Sequence, residues 1–269
     1  IMDWDDTIFP TTAYNILKKQ SLQDDFWNFI DGNYGKFPVL SGFVSIINKC
    51  ISDTYNFMMQ QINENNSIIL IISNGNYQWL TQCMNGSKII SKLKSVQKLQ
   101  TAINDENIPI KLISAKSEFV EHLKPSYSSN KDVNNTNNNG NKCKTRHRMS
   151  IIRKQTAFVK YLKEIKSKYD NETDLFCVYS IGDDDSEFEA SKISMNIVFG
   201  DKLYPQNKNK DDPYLLIRHK LDIDRENAKT ALQSILINID SFHSWDKQSI
   251  IDIILQNEFG QIVHDTFVD

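Results

Sequence analysis

The sequence predicts an α/β fold in which one parallel β-sheet is covered by helices on both faces. Short apolar runs such as SIILIISN at 67–74 show no polar alternation, which is typical of strands buried on both sides. Longer stretches with apolar residues at helical intervals separate these runs, as the crossovers between parallel strands require. With 269 residues the chain can bury a sizeable core, and we expect residues 1–269 to form a single domain.

The first half of the chain predicts three strands and the helices between them. Residues 1–3 end the first strand, and residues 41–64 space their apolar side chains as a helix does. The run at 67–74 predicts the second strand. A helix-rich stretch over 77–103 then leads to a third strand at 108–114, IPIKLIS.

The second half begins with an Asn-rich segment. Residues 126–145 predict a low-complexity insertion, either a long loop or a disordered segment. Helical spacing resumes at Ser150, which we expect to be the N-cap. LFCVYSIG at 175–182 and MNIVFG at 195–200 predict the fourth and fifth strands. Residues 205–269 form a C-terminal extension to which the sequence assigns no element.

Composition excludes several classes of protein. A formal net charge of -3 argues against generic binding to nucleic acid or to an anionic membrane. Four cysteines without a CxxC pair fit reduced thiols, so we expect a cytoplasmic protein. No apolar stretch approaches 18 residues, so no membrane span is expected. The chain begins at Ile1 rather than at Met, so we expect upstream residues and a truncated first strand.

Polar residues follow the predicted strands at the points where they end. Asp3 and Asp5 follow the first strand, Ser73 and Asn74 close the second, and GDDDSE at 182–187 closes the fourth. Parallel strands end at one edge of a sheet, where ligands of α/β proteins bind. These acids either lie in solvated turns or surround a cation, and carboxylate oxygens suit Mg²⁺.

Four motifs in order resemble those of the haloacid dehalogenase superfamily of phosphohydrolases. They are DWDDT at 3–7, IILIISN at 68–74, Lys154, and GDDDSE at 182–187. Within that superfamily, DWDDTIFPT, ISAKSEF at 113–119 and KQTAF at 154–158 look like a little-characterised eukaryotic branch. The resemblance covers roughly residues 1–200.

The resemblance implies a Rossmann-like sheet with strand order 5-4-1-2-3 and a minimal cap or none. It also implies a Mg²⁺-dependent phosphatase that forms an aspartyl-phosphate. Asp3 would be the nucleophile, and Asp5 would be the general acid and base. Asp3, Asp5 and Asp183 would hold the Mg²⁺, with Asp5 using its backbone carbonyl. Asp184 is the alternative to Asp183.

The remaining motif residues would bind the phosphate or support the site. The resemblance implies that Ser73, Asn74 and Lys154 bind the phosphoryl oxygens. Glu187 would hold either the waters of the metal or Lys154. Asp6 stands where many relatives carry Gly, which leaves its role open.

The resemblance also leaves the function partly open. The alternative to catalysis is an idle relative that binds a phosphorylated ligand or a protein partner. Dehalogenation is disfavoured, because dehalogenases of the superfamily lack the acid at the position of Asp5. Without a cap the site would stay open, so we expect a phosphorylated substrate that is bulky, such as a macromolecule.

Overall fold

A computed structural model of the chain describes residues 1–123, 139–169, 176–200, 214–221 and 223–242. The strands are β1 (Met2–Asp3), β2 (Ile69–Ser73), β3 (Ile110–Ser114), β4 (Phe176–Gly182) and β5 (Tyr214–Lys220). The helices are α1 (Thr11–Ser21), α2 (Phe26–Asn33), α3 (Pro38–Asn65), α4 (Tyr77–Asn85), α5 (Lys94–Asn104), α6 (Ala115–Leu123), α7 (Asn139–Tyr169), α8 (Asp185–Phe199) and α9 (Ala228–Phe242), and a short 3₁₀ helix spans Ile90–Lys92.

The strands form one sheet in the order β3-β2-β1-β4-β5, and every pairing is parallel. The central strand β1 is two residues long, and its Met2 lies opposite Ile71 of β2 and Ile181 of β4. Because all the strands run in one direction, Asp3, Ser73 and Gly182 end at the same edge. The predicted α/β class with a parallel sheet is confirmed.

Helices cover both faces of the sheet, and β2 shows how its residues are shared between them. All five of its residues are buried. Ile69 and Ile71 join an apolar cluster formed with α1–α5 and α9, whereas Leu70 and Ile72 join a second cluster with α7 and α8. Successive side chains of a strand point to opposite faces, so a strand with two buried faces must be apolar throughout.

The helices between β1 and β2 belong to the core of the sheet. Tyr14 of α1 stacks on Trp27 of α2 with ring centroids 4.6 Å apart, and Phe26 approaches Tyr14 edge-on at 5.4 Å. These rings are buried in the same apolar cluster as Ile71 of β2. Aromatic pairs at such distances add to the stabilisation that burial provides.

The prediction of a fifth strand at 195–200 is wrong. Residues up to Phe199 belong to α8, whose first turn carries a capping box made by Asp184 and Glu187. Ser191, Ser194, Met195 and Val198 are buried along this helix at spacings of three and four residues. The cap and the buried helical face outweigh the strand preference of the branched residues in MNIVF.

The fifth strand lies instead in the region to which the sequence assigned no element. β5 pairs with β4 along seven residues, from Phe176 opposite Tyr214 to Gly182 opposite Lys220. The observed order therefore differs from the predicted one in its fifth member. The helix that follows, α9, packs against α1 and α3.

The helix that carries Lys154 begins earlier than predicted. α7 starts at Asn139, so Ser150 lies in its interior and is not an N-cap. The last part of the Asn-rich segment is thus helical, and residues 126–138 lie outside the described residues. Among the helices that the structure describes, none combines the length and apolar character needed to cross a bilayer.

Candidate active site

Asp3 and Lys154 meet inside the protein at the carboxyl end of the central strand. Asp3 ends β1 and is 4% exposed, and Lys154 lies in α7 and is 1% exposed. The Nζ of Lys154 donates to Oδ1 of Asp3 over 3.0 Å. A lysine is rarely buried without a partner, so this contact explains how α7 can place a charge against the sheet.

The second partner of Lys154 is Glu187 in the first turn of α8. Oε1 of Glu187 accepts a hydrogen bond from Nζ, and Glu187 is buried as well. Burial by itself lowers the pKa of Lys154, but the charges of Asp3 and Glu187 raise it more, so it lies above the ordinary lysine value. Lys154 therefore remains a cation and holds the two acids together.

Three carboxylates converge here, from Asp3, Asp183 and Glu187. Each offers an oxygen, and these oxygens all lie within 4.8 Å of one another. Burial raises the pKa of Asp3 well above its ordinary value, although the charge of Lys154 opposes the rise. Burial and the charge of Glu187 also raise the pKa of Asp183, to about 7. Carboxylates this close favour a bound proton or cation. We call these three residues the acidic group.

The backbone around the start of α8 brings Glu187 into the acidic group. Oδ1 of Asp184 accepts from the N–H of Ser186 over 3.0 Å, and Oε2 of Glu187 accepts from the N–H of Asp184 over 3.1 Å. Gly182 is required because a Cβ there would lie 2.8 Å from Cγ of Glu187. Asp184 is exposed and caps the helix, so the geometry includes Asp183 rather than Asp184 in the acidic group.

The carboxylate of Asp5 is held apart from the acidic group by three donors. The hydroxyl of Ser73 donates to Oδ2 over 2.7 Å, and the hydroxyl of Thr11 donates to Oδ1 over 2.7 Å. Nε1 of Trp79 donates to Oδ1 over 2.9 Å. These donors come from β2, α1 and α4, so Asp5 is positioned by the neighbouring helix and by two elements that are distant in the sequence.

Ser73 is a junction between Asp5 and the turn after β2. Besides donating to Asp5, its Oγ accepts from the N–H of Gly75 over 2.8 Å. The carbonyl of Gly75 in turn accepts from the hydroxyl of Ser114, at the end of β3, over 2.7 Å. Ser73 and Ser114 are both fully buried. Ser73, which was predicted to bind phosphate, thus lies beside Asp5 and donates its hydroxyl hydrogen bond to the carboxylate of Asp5.

Asn74 enters a chain of polar side chains that crosses from β2 to α8. Its Nδ2 donates to the hydroxyl of Ser150 on α7, and Ser150 donates to Ser186 over 3.1 Å. The hydroxyl of Ser186 donates to Oε1 of Glu187 over 3.1 Å. We call Asn74, Ser150, Ser186 and Glu187 the polar chain. In this arrangement Asn74 links the elements that surround the site, and its Oδ1 is buried without a hydrogen-bond partner.

Asp6 adopts a left-handed backbone conformation, with φ of 55°. This conformation explains why glycine suits the position, and Asp is one of the residues that tolerate it. Its buried carboxylate accepts from the N–H of Thr12 over 2.7 Å and from the hydroxyl of Thr12 over 2.5 Å. Pro10 supplies no side-chain cap for α1, so Asp6 takes that role.

Sequence reasoning missed several residues of this region, among them Thr11, Trp79, Ser150, Ser186 and Arg225. Arg225 lies between β5 and α9 and donates to Oδ2 of Asp183. With the fifth strand assigned to 195–200, nothing indicated that residues after β5 would reach the site. A correct assignment of β5 would have placed Arg225 just beyond the carboxyl end of a strand.

The residues present fit a hard divalent cation. Asp3 and Asp183 supply carboxylate oxygens within the spacing that one ion can bridge, and Glu187 is the third member of the group. The side chain of Asp5 is not part of it. Comparison with known proteins adds no relative, since no protein-family model, curated protein or solved structure matches the chain.

Proposed function

We propose that this chain is a magnesium-dependent phosphohydrolase of the haloacid dehalogenase type that acts through a phosphorylated Asp3. The observation that carries the proposal is the convergence of Asp3, Asp183 and Glu187 around Lys154 at the carboxyl edge of a parallel sheet. Ligands of open α/β sheets bind at that edge. Buried acids with raised pKa values are common at functional sites.

The proposed hydrolysis has two steps, in which Asp3 and Asp5 have distinct roles. First, an oxygen of Asp3 bonds to phosphorus as the bond to the leaving oxygen breaks, and Asp5 gives that oxygen its proton. Water then attacks phosphorus, loses a proton to Asp5 and breaks the bond to Asp3. The hydroxyls of Ser73 and Thr11 contact Asp5, and a hydroxyl can donate to a carboxylate or accept from a carboxylic acid.

The residues that would hold the metal come from β1 and from the end of β4. Asp3 and Asp183 would hold Mg²⁺ together with the backbone carbonyl of Asp5. The ion would offset the repulsion between the Asp3 carboxylate and the phosphate dianion. Lys154 and Glu187 keep Asp3 in place, and the polar chain holds Glu187.

The substrate class that we propose is a bulky phosphoester. Asp5 is half-buried rather than enclosed. Helices α1 and α2, in the interval after Asp5, pack into the core that they share with β2. An uncovered site would favour a phosphorylated macromolecule over a small sugar phosphate, because closure over a small substrate supplies much of its recognition. Comparing kcat/KM for phosphopeptides and for a panel of phosphorylated metabolites tests this assignment.

Hydrolysis of an aryl phosphate with and without Mg²⁺ tests the activity. Asp3→Asn should lose turnover by about 10³-fold or more, because the nucleophile is gone. Asp24→Asn makes the same chemical change at an exposed site and should keep the activity. Mass spectrometry of acid-quenched enzyme should find the phosphoryl group on Asp3. If the magnesium-dependent turnover of Asp3→Asn equals that of the unaltered chain, or if no phosphoester is turned over, the alternative is favoured. That alternative is a catalytically idle protein that binds a phosphorylated ligand or a protein partner.

A further inference from the structure

Arg225 extends from solvent onto a carboxylate of the acidic group. Its side chain is 55% exposed, whereas that of Asp183 is 7% exposed. Nη2 of Arg225 donates to Oδ2 of Asp183. The contact thus joins an accessible cation from the loop after β5 to a shielded acid that follows β4.

Two cationic side chains contact different acids of the acidic group. Lys154 contacts Asp3 and Glu187, and Arg225 contacts Asp183. Asp6 adds further negative charge beside Asp183. Each acid of the group therefore has a positive partner, and Asp183 has one that comes from the surface.

The two cations differ in how easily they can leave. Lys154 is 1% exposed, and its removal would leave two buried charges unpaired. The guanidinium of Arg225 already lies largely in water, and ion pairs of that kind contribute little to stability. A divalent ion bound to Asp183 competes for the same carboxylate, and its charge repels the guanidinium. Arg225 is therefore the partner that a metal can replace.

We propose that Arg225 is the exchangeable cation of this site: it holds Asp183 in the metal-free chain, yields it to a divalent metal ion, and then binds an anionic group of the ligand such as phosphate. The inference rests on the proposed function and names a residue for binding the substrate. A guanidinium presents a planar fork of donors that matches phosphate oxygens. Once released, it lies at the edge of the sheet where the phosphate would bind.

Calorimetric titration of the metal-free protein with Mg²⁺ tests the exchange. Arg225→Gln should bind Mg²⁺ about three- to tenfold more tightly, because the competing cation is gone. Lys220→Gln is the matched control. It removes the same charge from the same end of β5, and Lys220 contacts Asp185, at 3.2 Å, which is outside the acidic group. We expect its affinity to change less than about twofold.

A second titration, of the Mg²⁺-saturated protein with inorganic phosphate, tests the role in ligand binding. Arg225→Gln should bind phosphate about five- to tenfold more weakly, and Lys220→Gln should bind as the unaltered chain does. The two titrations thus expect opposite signs for the same variant. A purely structural role of Arg225 would weaken both affinities. Should Arg225→Gln fail to fold, Arg225→Lys tests the same point. It should also bind Mg²⁺ more tightly and phosphate more weakly than the unaltered chain, but both changes should be smaller.

Each outcome decides the inference. Tighter Mg²⁺ binding together with weaker phosphate binding in Arg225→Gln supports it. An unchanged affinity for Mg²⁺, an unchanged affinity for phosphate, or the same change in Lys220→Gln overturns it. Those three results leave the hydrolase proposal standing, because Asp3→Asn tests that proposal separately. Absence of Mg²⁺ binding in every variant would overturn both.

Discussion

The ammonium group of Lys154 lies 3.0 Å from a carboxylate oxygen of Asp3, and neither residue is more than 4% exposed. The pair joins the centre of the sheet to the middle of α7. It also places the proposed nucleophile beside a permanent positive charge. A buried pair of this kind is sensitive to the loss of either partner, because the remaining charge has no water to replace it.

Replacing Lys154 by Met removes the charge with little change in volume. We expect the free energy of unfolding to fall by about 3–5 kcal/mol, because Asp3 and Glu187 are left buried and unpaired. Urea unfolding at pH 7 measures this. Lys160→Met is the control on the same helix: Lys160 forms an exposed pair with Glu118 at 2.8 Å, and its loss should cost about 1 kcal/mol or less. Equal losses in the two variants would contradict a special role for Lys154.

Substitutions at Asp6 should rank by backbone tolerance and capping. Asp6→Asn keeps a residue that tolerates positive φ and can still accept from Thr12, so it should unfold nearly as the unaltered chain does. Asp6→Gly loses the cap, at about 1 kcal/mol. Asp6→Ala loses the cap and strains the backbone, for about 1–2 kcal/mol more. Chemical denaturation of the three variants gives the order, and an Ala variant more stable than the Gly variant would refute it.

Ser150→Ala should break the polar chain. The amide of Asn74 would lose its acceptor and Ser186 would lose its donor, so unfolding should become easier by about 1–3 kcal/mol. Ser167→Ala is the control in α7, where the hydroxyl of Ser167 bonds the carbonyl of Glu164 at an exposed position. Its effect should be within about 0.5 kcal/mol. If both variants unfold alike, the polar chain does not stabilise this region.

The stability of the metal-free protein should fall as the pH rises towards neutrality. The pKa of Asp183 is about 7 in the folded chain, against an ordinary value of 3.8. A folded-state pKa above the unfolded one means that the proton stabilises the fold. This stabilisation is complete below about pH 3.8 and is lost by the time the pH has passed 7.

Thermal unfolding in a chelator at pH 5 and at pH 8 measures that loss. The unaltered chain should be less stable at pH 8, and Asp183→Asn should show a smaller difference, because it cannot ionise. Mg²⁺ replaces the proton, so it should narrow the difference in the unaltered chain. An Asp183→Asn variant with the full pH dependence would assign the effect to other groups, such as Asp3.

Much of the fold could be predicted because local sequence and tertiary context agree there. β2, β3 and β4 are short apolar runs, and α3 has one buried face with apolar residues at helical spacing. These local patterns alone predict the four elements. The strand prediction for MNIVF at 195–199 is wrong because its branched residues favour a strand, whereas the cap at Asp184 and Glu187 starts a helix. Asp184 and Glu187 fit an acidic motif as well as a capping box, so the sequence alone does not show that they start a helix.

The candidate site divides in a similar way. Asp3, Asp5, Ser73, Lys154 and Glu187 are predicted from motifs that lie mostly at strand ends. The structure joins Lys154 to Asp3 and Glu187 and, apart from these, Ser73 to Asp5. The contacts that hold them could not be predicted, because they join residues far apart in the chain. Trp79 reaches Asp5 across 74 residues, and Arg225 reaches Asp183 across 42. Only the packing of whole elements sets such distances.

The pairing of β5 with β4 also affects the solubility of shortened versions of the protein. β4 pairs with β5 through all seven of its residues. A chain that ended before Tyr214 would leave the backbone N–H and C=O groups on that side of β4 without partners. The sequence of β4, FCVYSIG, carries no charge and no proline that would discourage a second chain from adding there. Truncation after α8 should therefore favour intermolecular strand pairing and aggregation.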